Sequence, residues 1–192
     1  AANYLTRPPK RSDVLSVFAG LRPLAAPRSE GKKTKEISRS HKLIREKSGL
    51  ITIIGGKWTT YRKMAQDTLD LAIRYMHIPT KDCITERYQI HGSRKNPDFS
   101  DPLYVYGTDA DEIRNLVASS PAMAEKLHPD YAYTVGEVTW LVRNEMPRTL
   151  EDVLARRLRI LFLDARAAMA MAPKVAGILA TEWGKDETWT SA

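Results

Sequence analysis

Cysteine is nearly missing from this chain. Cys83 stands alone among 192 residues, so no internal disulfide can staple the fold, which suits a reducing compartment. No apolar run approaches the ~20 residues that a membrane-spanning helix needs. No leader is visible at the start, where Pro8, Pro9, Lys10 and Arg11 replace an apolar stretch. The dinucleotide fingerprint Gly-x-Gly-x-x-Gly is absent. A P-loop is excluded too: Gly55-Gly56-Lys57 has Ile51 where that loop needs its first glycine, and Trp58 where it needs Ser or Thr. His41, His77, His91 and His128 show no ligand spacing with one another or with Cys83, so no metal site is expected. Internal repeats and low-complexity tracts are lacking as well.

What is present is ordinary for a globular chain, with 43% hydrophobic and 28% charged residues. The length suits one medium domain or two small ones. The net charge of +7 is uneven. Residues 1–63 hold 15 Lys+Arg against 4 Asp+Glu, a net of +11, and the rest holds 15 against 19, a net of −4. A local basic stretch of this kind is a solvated surface or a site for phosphate, acidic lipid or nucleic acid. No nucleic-acid-binding motif accompanies it, and no nucleic-acid partner is expected.

Along the chain, Val14–Ala19 (VLSVFA) reads as a buried strand ending at Gly20, followed by a basic loop over Leu21–Lys35. Glu36–Arg45 reads as a half-exposed strand, paired through a turn at Glu46–Gly49 with Leu50–Ile54 as an antiparallel hairpin. A long amphipathic helix begins near Trp58: Trp58, Tyr61, Ala65, Leu69, Ala72 and Met76 recur three or four apart, and Pro79 is its terminator. Residues 78–103 read as irregular. Helices follow near 109–119, 121–128, 134–146 and 149–163, then a stretch over 164–184 in which Pro173 makes a kink or a new start. Thr149-Leu-Glu-Asp152 has capping spacing. Leu150, Leu154, Leu158, Leu161 and Ala165 make an apolar stripe, with Arg156, Arg157 and Arg159 as a solvated or ion-paired face, a partner surface being the other reading. The second half therefore reads as a small helical bundle.

The chemistry concentrates at Gly55-Gly56-Lys57-Trp58-Thr59. A strand that turns through two glycines straight into a helix aims free backbone N–H groups at whatever lies in front, which makes a site for an anion or an electron-rich ring. Lys57 adds a mobile positive charge at the same mouth. Arg22, in Ala19-Gly-Leu-Arg-Pro-Leu24, follows a strand pattern and is limited to extended geometry by Pro23. A guanidinium presented that way suits bidentate capture of phosphate or carboxylate, and an ordinary surface ion pair is the other reading.

Val14–Leu24 (VLSVFAGLRPL), Ile37–His41 (ISRSH) and Gly49–Thr68 (GLITIIGGKWTTYRKMAQDT) resemble the FAD-dependent glycerol-3-phosphate dehydrogenases that pass electrons to quinone. Val138–Glu145 and Asp152–Leu163 are similar to the helical C-terminal domain of the same family. The resemblance implies a C-terminal fragment, with an α+β fold: a small antiparallel β remnant of the FAD/substrate-binding region with one long helix over 1–78, then an all-α helical domain over 79–192. It implies FAD against Gly55, Gly56, Lys57, Trp58 and Thr59, where amides at the helix start favour the reduced flavin. Arg22 and Lys57 would grip the phosphate of sn-glycerol 3-phosphate, which is oxidised to dihydroxyacetone phosphate. The general base would lie outside this chain. Leu158 stands where the family is associated with a threonine, which touches one side-chain hydrogen bond and leaves the chemistry alone.

The resemblance also implies a membrane quinone as acceptor, contact with a bilayer surface, a cytoplasmic location at the inner membrane and a possible homodimer. These residues alone are expected to be inactive and to hold no FAD tightly. Two alternatives remain at this point: another FAD-dependent enzyme of the amine or amino-acid oxidase kind, and a helical module that binds a partner.

Overall fold

Ile51–Ile54 (β2) carries three β-branched isoleucines and a threonine, side chains that suit a pleated surface. It pairs antiparallel with Lys42–Arg45 (β1) in the register Lys42↔Ile54 to Arg45↔Ile51. The Glu46–Gly49 turn is closed by Glu46 N–H on the Leu50 carbonyl (2.9 Å) and Gly49 N–H on the Glu46 carbonyl (3.0 Å). The structure, a computed structural model, describes residues 5–21 and 40–190. Its contacts divide the chain into two units, Gly20–Ile90 and Ala1–Ala19 with His91–Ala192.

In the first unit the helix read from the sequence is present as Tyr61–Met76 (α1), preceded by a tight 3-10 turn over Trp58–Thr60. It stops at His77, whose left-handed backbone (φ 54°) lets its own N–H and that of Ile78 fold back on the last carbonyls, before Pro79 is reached. The Arg45 guanidinium lies 4.1 Å over the Tyr75 ring and ties hairpin to helix. The apolar stripe is there but open: no residue of α1 is fully buried, and Leu69 is 61% exposed.

The second unit is helical. Ala110–Ala118 (α2), Pro121–Ala124 (α3), Val135–Asn144 (α4), Ile160–Leu163 (α5), Ala165–Trp183 (α6) and Glu187–Thr190 (α7) surround a core that includes Ile113, Val138, Leu141, Ile160, Met171 and Leu179. Helix α4 is central: Gly136 through Val142 are all buried. It is capped by Thr134, whose hydroxyl accepts from Glu137 N–H (3.2 Å), and it is clamped to α6 by the bidentate pair Arg143–Glu182 (2.7 and 2.8 Å). Helix α6 runs through Pro173, which sits on its exposed side. The chain is thus the mostly helical α+β fold expected, with one two-stranded sheet among the described residues.

Other expectations fail besides the Pro79 terminator, and the helix expected over 121–128 ends already at Ala124. Val14–Ala19 is no buried strand. It has no ladder partner among the described residues, and Val17 is 84% exposed. A strand needs a ladder partner; this segment instead lies along the helical unit, with Ser16 Oγ donating to the Leu161 carbonyl (2.7 Å), Ala165 N–H donating to the Leu15 carbonyl (3.0 Å), and Phe18 edge-on to Phe162 at 5.0 Å. The helix expected over 149–163 is also broken. It starts as expected, with Thr149 and Asp152 capping each other (Thr149 N–H to Asp152 Oδ2 3.0 Å, Asp152 N–H to Thr149 Oγ1 3.1 Å). It then widens to a π turn over Asp152–Arg157 and ends at Arg159, whose φ is 61°. The extra residue per turn rotates the stripe, so that Ile160 is buried and Leu161 only partly so.

Candidate functional site

After Ile54 the chain turns through Gly55 (φ 77°) and Gly56 (φ 88°), both in the left-handed region that a Cβ resists. A Cβ on Gly55 would come within 2.9 Å of the Ser40 carbonyl oxygen, and one on Gly56 within 2.5 Å of the Met64 sulfur. The first neighbour is backbone; the second is a flexible side chain. Gly56→Ala is expected to destabilise this unit by about 1–3 kcal/mol, mainly through backbone strain, visible as a lower urea midpoint. An unchanged midpoint would show that the turn can relax.

Lys57 is extended (φ −132°, ψ 151°) and closes on Thr60: its N–H donates to Thr60 Oγ1 (3.3 Å), that hydroxyl donates to the Lys57 carbonyl (3.0 Å), and Thr60 N–H donates to the same oxygen (3.0 Å). The Lys57 amide therefore serves its own turn. Trp58 and Thr59 are left as the amides of the first turn without an intrahelical acceptor. Lys57, Trp58 and Thr59 are all exposed, and the Trp58 indole (85% exposed) stacks on Tyr61 at 5.5 Å. The fold thus brings Gly55, Gly56, Lys57, Trp58 and Thr59 to one open mouth. Arg22 lies outside the described residues, as do residues 36–39 of the first expected strand.

Sequence reasoning overlooked a cluster behind this mouth. His41 Nε2 meets Asp67 Oδ2 at 3.0 Å, and Lys63 Nζ meets Asp67 Oδ1 at 2.9 Å. Lys63 above all, and then His41, hold the Asp67 carboxyl below its usual range against the opposing effect of burial. The His41 Cβ lies 3.4 Å from where a Gly56 Cβ would stand, so the cluster backs the glycine turn. The Lys63–Asp67 spacing of four on the polar face of α1 was the signal available. Beside it, Tyr61, Ala65, Leu69, Tyr88 and Ile90 help line a groove of about 380 Å³.

In the helical unit burial raises the pKa of two acids, Glu145 and, to a larger extent, Glu137. Glu137 is 4% exposed, and Tyr106 donates its hydroxyl to it at 2.6 Å. Burial lifts its pKa to about 7, against the Tyr106 and Thr134 hydrogen bonds that favour the charged form. Among the described residues no group of three or more His, Cys, Asp and Glu side chains is placed to hold a metal, and no helix is long and apolar enough to cross a membrane.

Residues 50–190 match the family model described as the C-terminal domain of alpha-glycerophosphate oxidase. The chain belongs to this family. The match takes in β2, the glycine turn, α1 and the helical unit, so the alpha-glycerophosphate oxidase C-terminal family includes both the open mouth and the bundle. Over most of its length the chain is also similar to proteins named as mitochondrial glycerol-3-phosphate dehydrogenases. It is 34% identical to one from Arabidopsis thaliana over 217 residues, covering 96% of this chain and 34% of that protein. A probable one from Caenorhabditis elegans is 36% identical over 208 residues (95% of this chain, 27% of that protein), and the one from Homo sapiens 31% over 202 (93% and 27%). The chain thus spans about a third or less of the length of the curated relatives it matches.

Proposed function

We propose that the chain is the C-terminal part of a flavoprotein that oxidises sn-glycerol 3-phosphate to dihydroxyacetone phosphate and passes the electrons from FAD to a membrane quinone. One observation carries this reading from the chain itself. The paired left-handed glycines present an exposed helix start, where the Trp58 and Thr59 amides have no acceptor among the described residues and Lys57 is exposed next to them in sequence. The names of the relatives supply the substrate.

The donor set fits the cofactor. Trp58 and Thr59 N–H groups at a helix start offer fixed partial positive charge to an electron-rich ring edge, and Gly55 and Gly56 set the angle at which they do so. FAD, when bound, supplies hydride acceptance. Lys57 binds and orients the substrate phosphate, with Arg22 as its proposed partner; one ammonium and one guanidinium match a phosphate dianion better than a single carboxylate. The proton of the substrate hydroxyl goes to a group outside this chain. The open stripe of α1, with the groove beside it, is consistent with a face that the flavin-binding part covers. A quinone acceptor implies peripheral contact with a bilayer surface, at the inner membrane.

Lys57→Met, made in a polypeptide that carries this chain together with its flavin-binding part, is expected to raise KM for glycerol 3-phosphate at least about tenfold at unchanged flavin content. Steady-state kinetics with the phosphorylated substrate decide the point, and an unaltered KM removes Lys57 from the phosphate site.

A further inference from the structure

Far from the glycine turn in sequence, the end of the helical unit builds a second concave site. Arg148, Trp183, Lys185 and Trp189 line a pocket of about 380 Å³. Three stretches of chain meet there: the segment between α4 and the π turn, the end of α6, and α7. Each is pinned. Arg148 N–H donates to Asp152 Oδ2 (2.8 Å), and Pro147 before it is fully buried. Lys185 N–H donates to the Ala180 carbonyl (2.8 Å) past Gly184, which ends α6 in the left-handed conformation. Trp189 N–H is held by the Asp186 carbonyl and Oδ1 (both 3.2 Å), and its ring meets Trp183 edge-on at 5.5 Å.

Both charged residues in the lining are cations. Arg143, Arg156, Arg157 and Lys174 are each matched to a carboxylate, whereas Lys126, Arg159 and Arg166 show no ion pair among the described residues. Arg148 and Lys185 have no ion pair among the described residues. Two carboxylates close by in sequence are committed elsewhere: Asp152 to Arg148 and Thr149 N–H and to Arg156, and Asp186 to the Thr188 hydroxyl (2.5 Å) and Trp189 N–H. Neither cation sits over an indole face among the described residues, so neither is consumed by stacking. Two unmatched cations beside two half-buried indoles form a site for an anion attached to a flat or apolar body.

We propose that this pocket binds a phosphate monoester: Arg148 and Lys185 take the phosphate, and Trp183 and Trp189 cover the organic part. The inference does not depend on the flavin reading and concerns a different unit of the chain. Titration of the 192-residue chain with phenyl phosphate at constant ionic strength, followed by indole fluorescence, is the test. Saturable quenching with a Kd below about 1 mM is expected. Arg148→Gln and Lys185→Gln should each raise that Kd about tenfold or more with the far-ultraviolet circular dichroism unchanged. Inorganic phosphate should bind more weakly with the same dependence on both residues. Sedimentation with phosphatidic acid vesicles separates the sources: loss of sedimentation in the two variants assigns a lipid headgroup, and no sedimentation of the unsubstituted chain assigns a free phosphate ester. Quenching that never saturates, or a Kd that neither variant alters, overturns the proposal.

Discussion

Between pH 4 and pH 8, Glu137→Gln is expected to gain about 3 kcal/mol of folding stability relative to the unsubstituted chain. The carboxyl titrates near its ordinary 4.5 when unfolded and at about 7 when folded. Below pH 4.5 both states are protonated and the group contributes nothing to pH dependence. As pH rises from 4.5 to 7, the unfolded chain releases a proton that the folded chain keeps, so stability falls. Above 7 both are ionised and the penalty is constant. A displacement of that width corresponds to about 3 kcal/mol at 1.36 kcal/mol per pH unit.

The amide variant cannot titrate. It also mismatches its surroundings, because Tyr106 O–H and Thr134 N–H both point donors at the site and a glutamine offers only one oxygen. A cost of about 1–3 kcal/mol at pH 4 follows. The informative quantity is therefore the change in the difference between the two proteins, in which every other titrating group cancels. Urea titrations at pH 4 and pH 8, followed by near-ultraviolet circular dichroism, give it directly. Parallel stability–pH curves would mean that Glu137 is solvated in a way its 4% exposure does not suggest.

What could be read from the sequence was local. The glycine turn was legible because two adjacent glycines between a β-branched run and a helical period leave few other conformations. Helix α1 and the main helices of the bundle were legible from spacing alone, and so was the Thr149–Asp152 cap. Distant partners were the limit. VLSVFA has strand composition, but whether it pairs depends on what lies alongside, and the fold lays it on α5 and α6. Thr134 and Glu137 have capping spacing too, yet the hydroxyl that meets the buried Glu137 carboxyl comes from Tyr106, 31 residues away. His41 looked idle until Asp67 was placed 3.0 Å from it. In the glycine loop the residues were legible and the allocation of donors was not: the Lys57 amide goes to Thr60 Oγ1, a detail of one turn's closure.

The two adjacent arginines of the π turn show the same limit as a measurable contrast. Spacing treats Arg156 and Arg157 alike. The structure leaves Arg156 55% exposed and paired at the surface with Glu151 and Asp152, while Arg157 is 19% exposed and bridges two segments. Its guanidinium donates to the Asp152 carbonyl (2.9 Å) inside the turn and to the Glu145 carbonyl (2.5 Å) at the end of α4. Its Nε faces the Glu145 carboxylate at 3.5 Å. That fork joins the carbonyl end of α4 to the first carbonyl of the π turn and so ties the two helical pieces together. Arg157→Met is expected to cost about 3–5 kcal/mol, because two carbonyls and a half-buried carboxylate lose their partner together. Arg156→Met should cost less than about 1 kcal/mol. Arg157→Lys should recover under half of the loss, since a single ammonium cannot reproduce the planar fork. Urea unfolding of the three variants at pH 7 ranks them, and equal losses for Arg156→Met and Arg157→Met would refute the bridge.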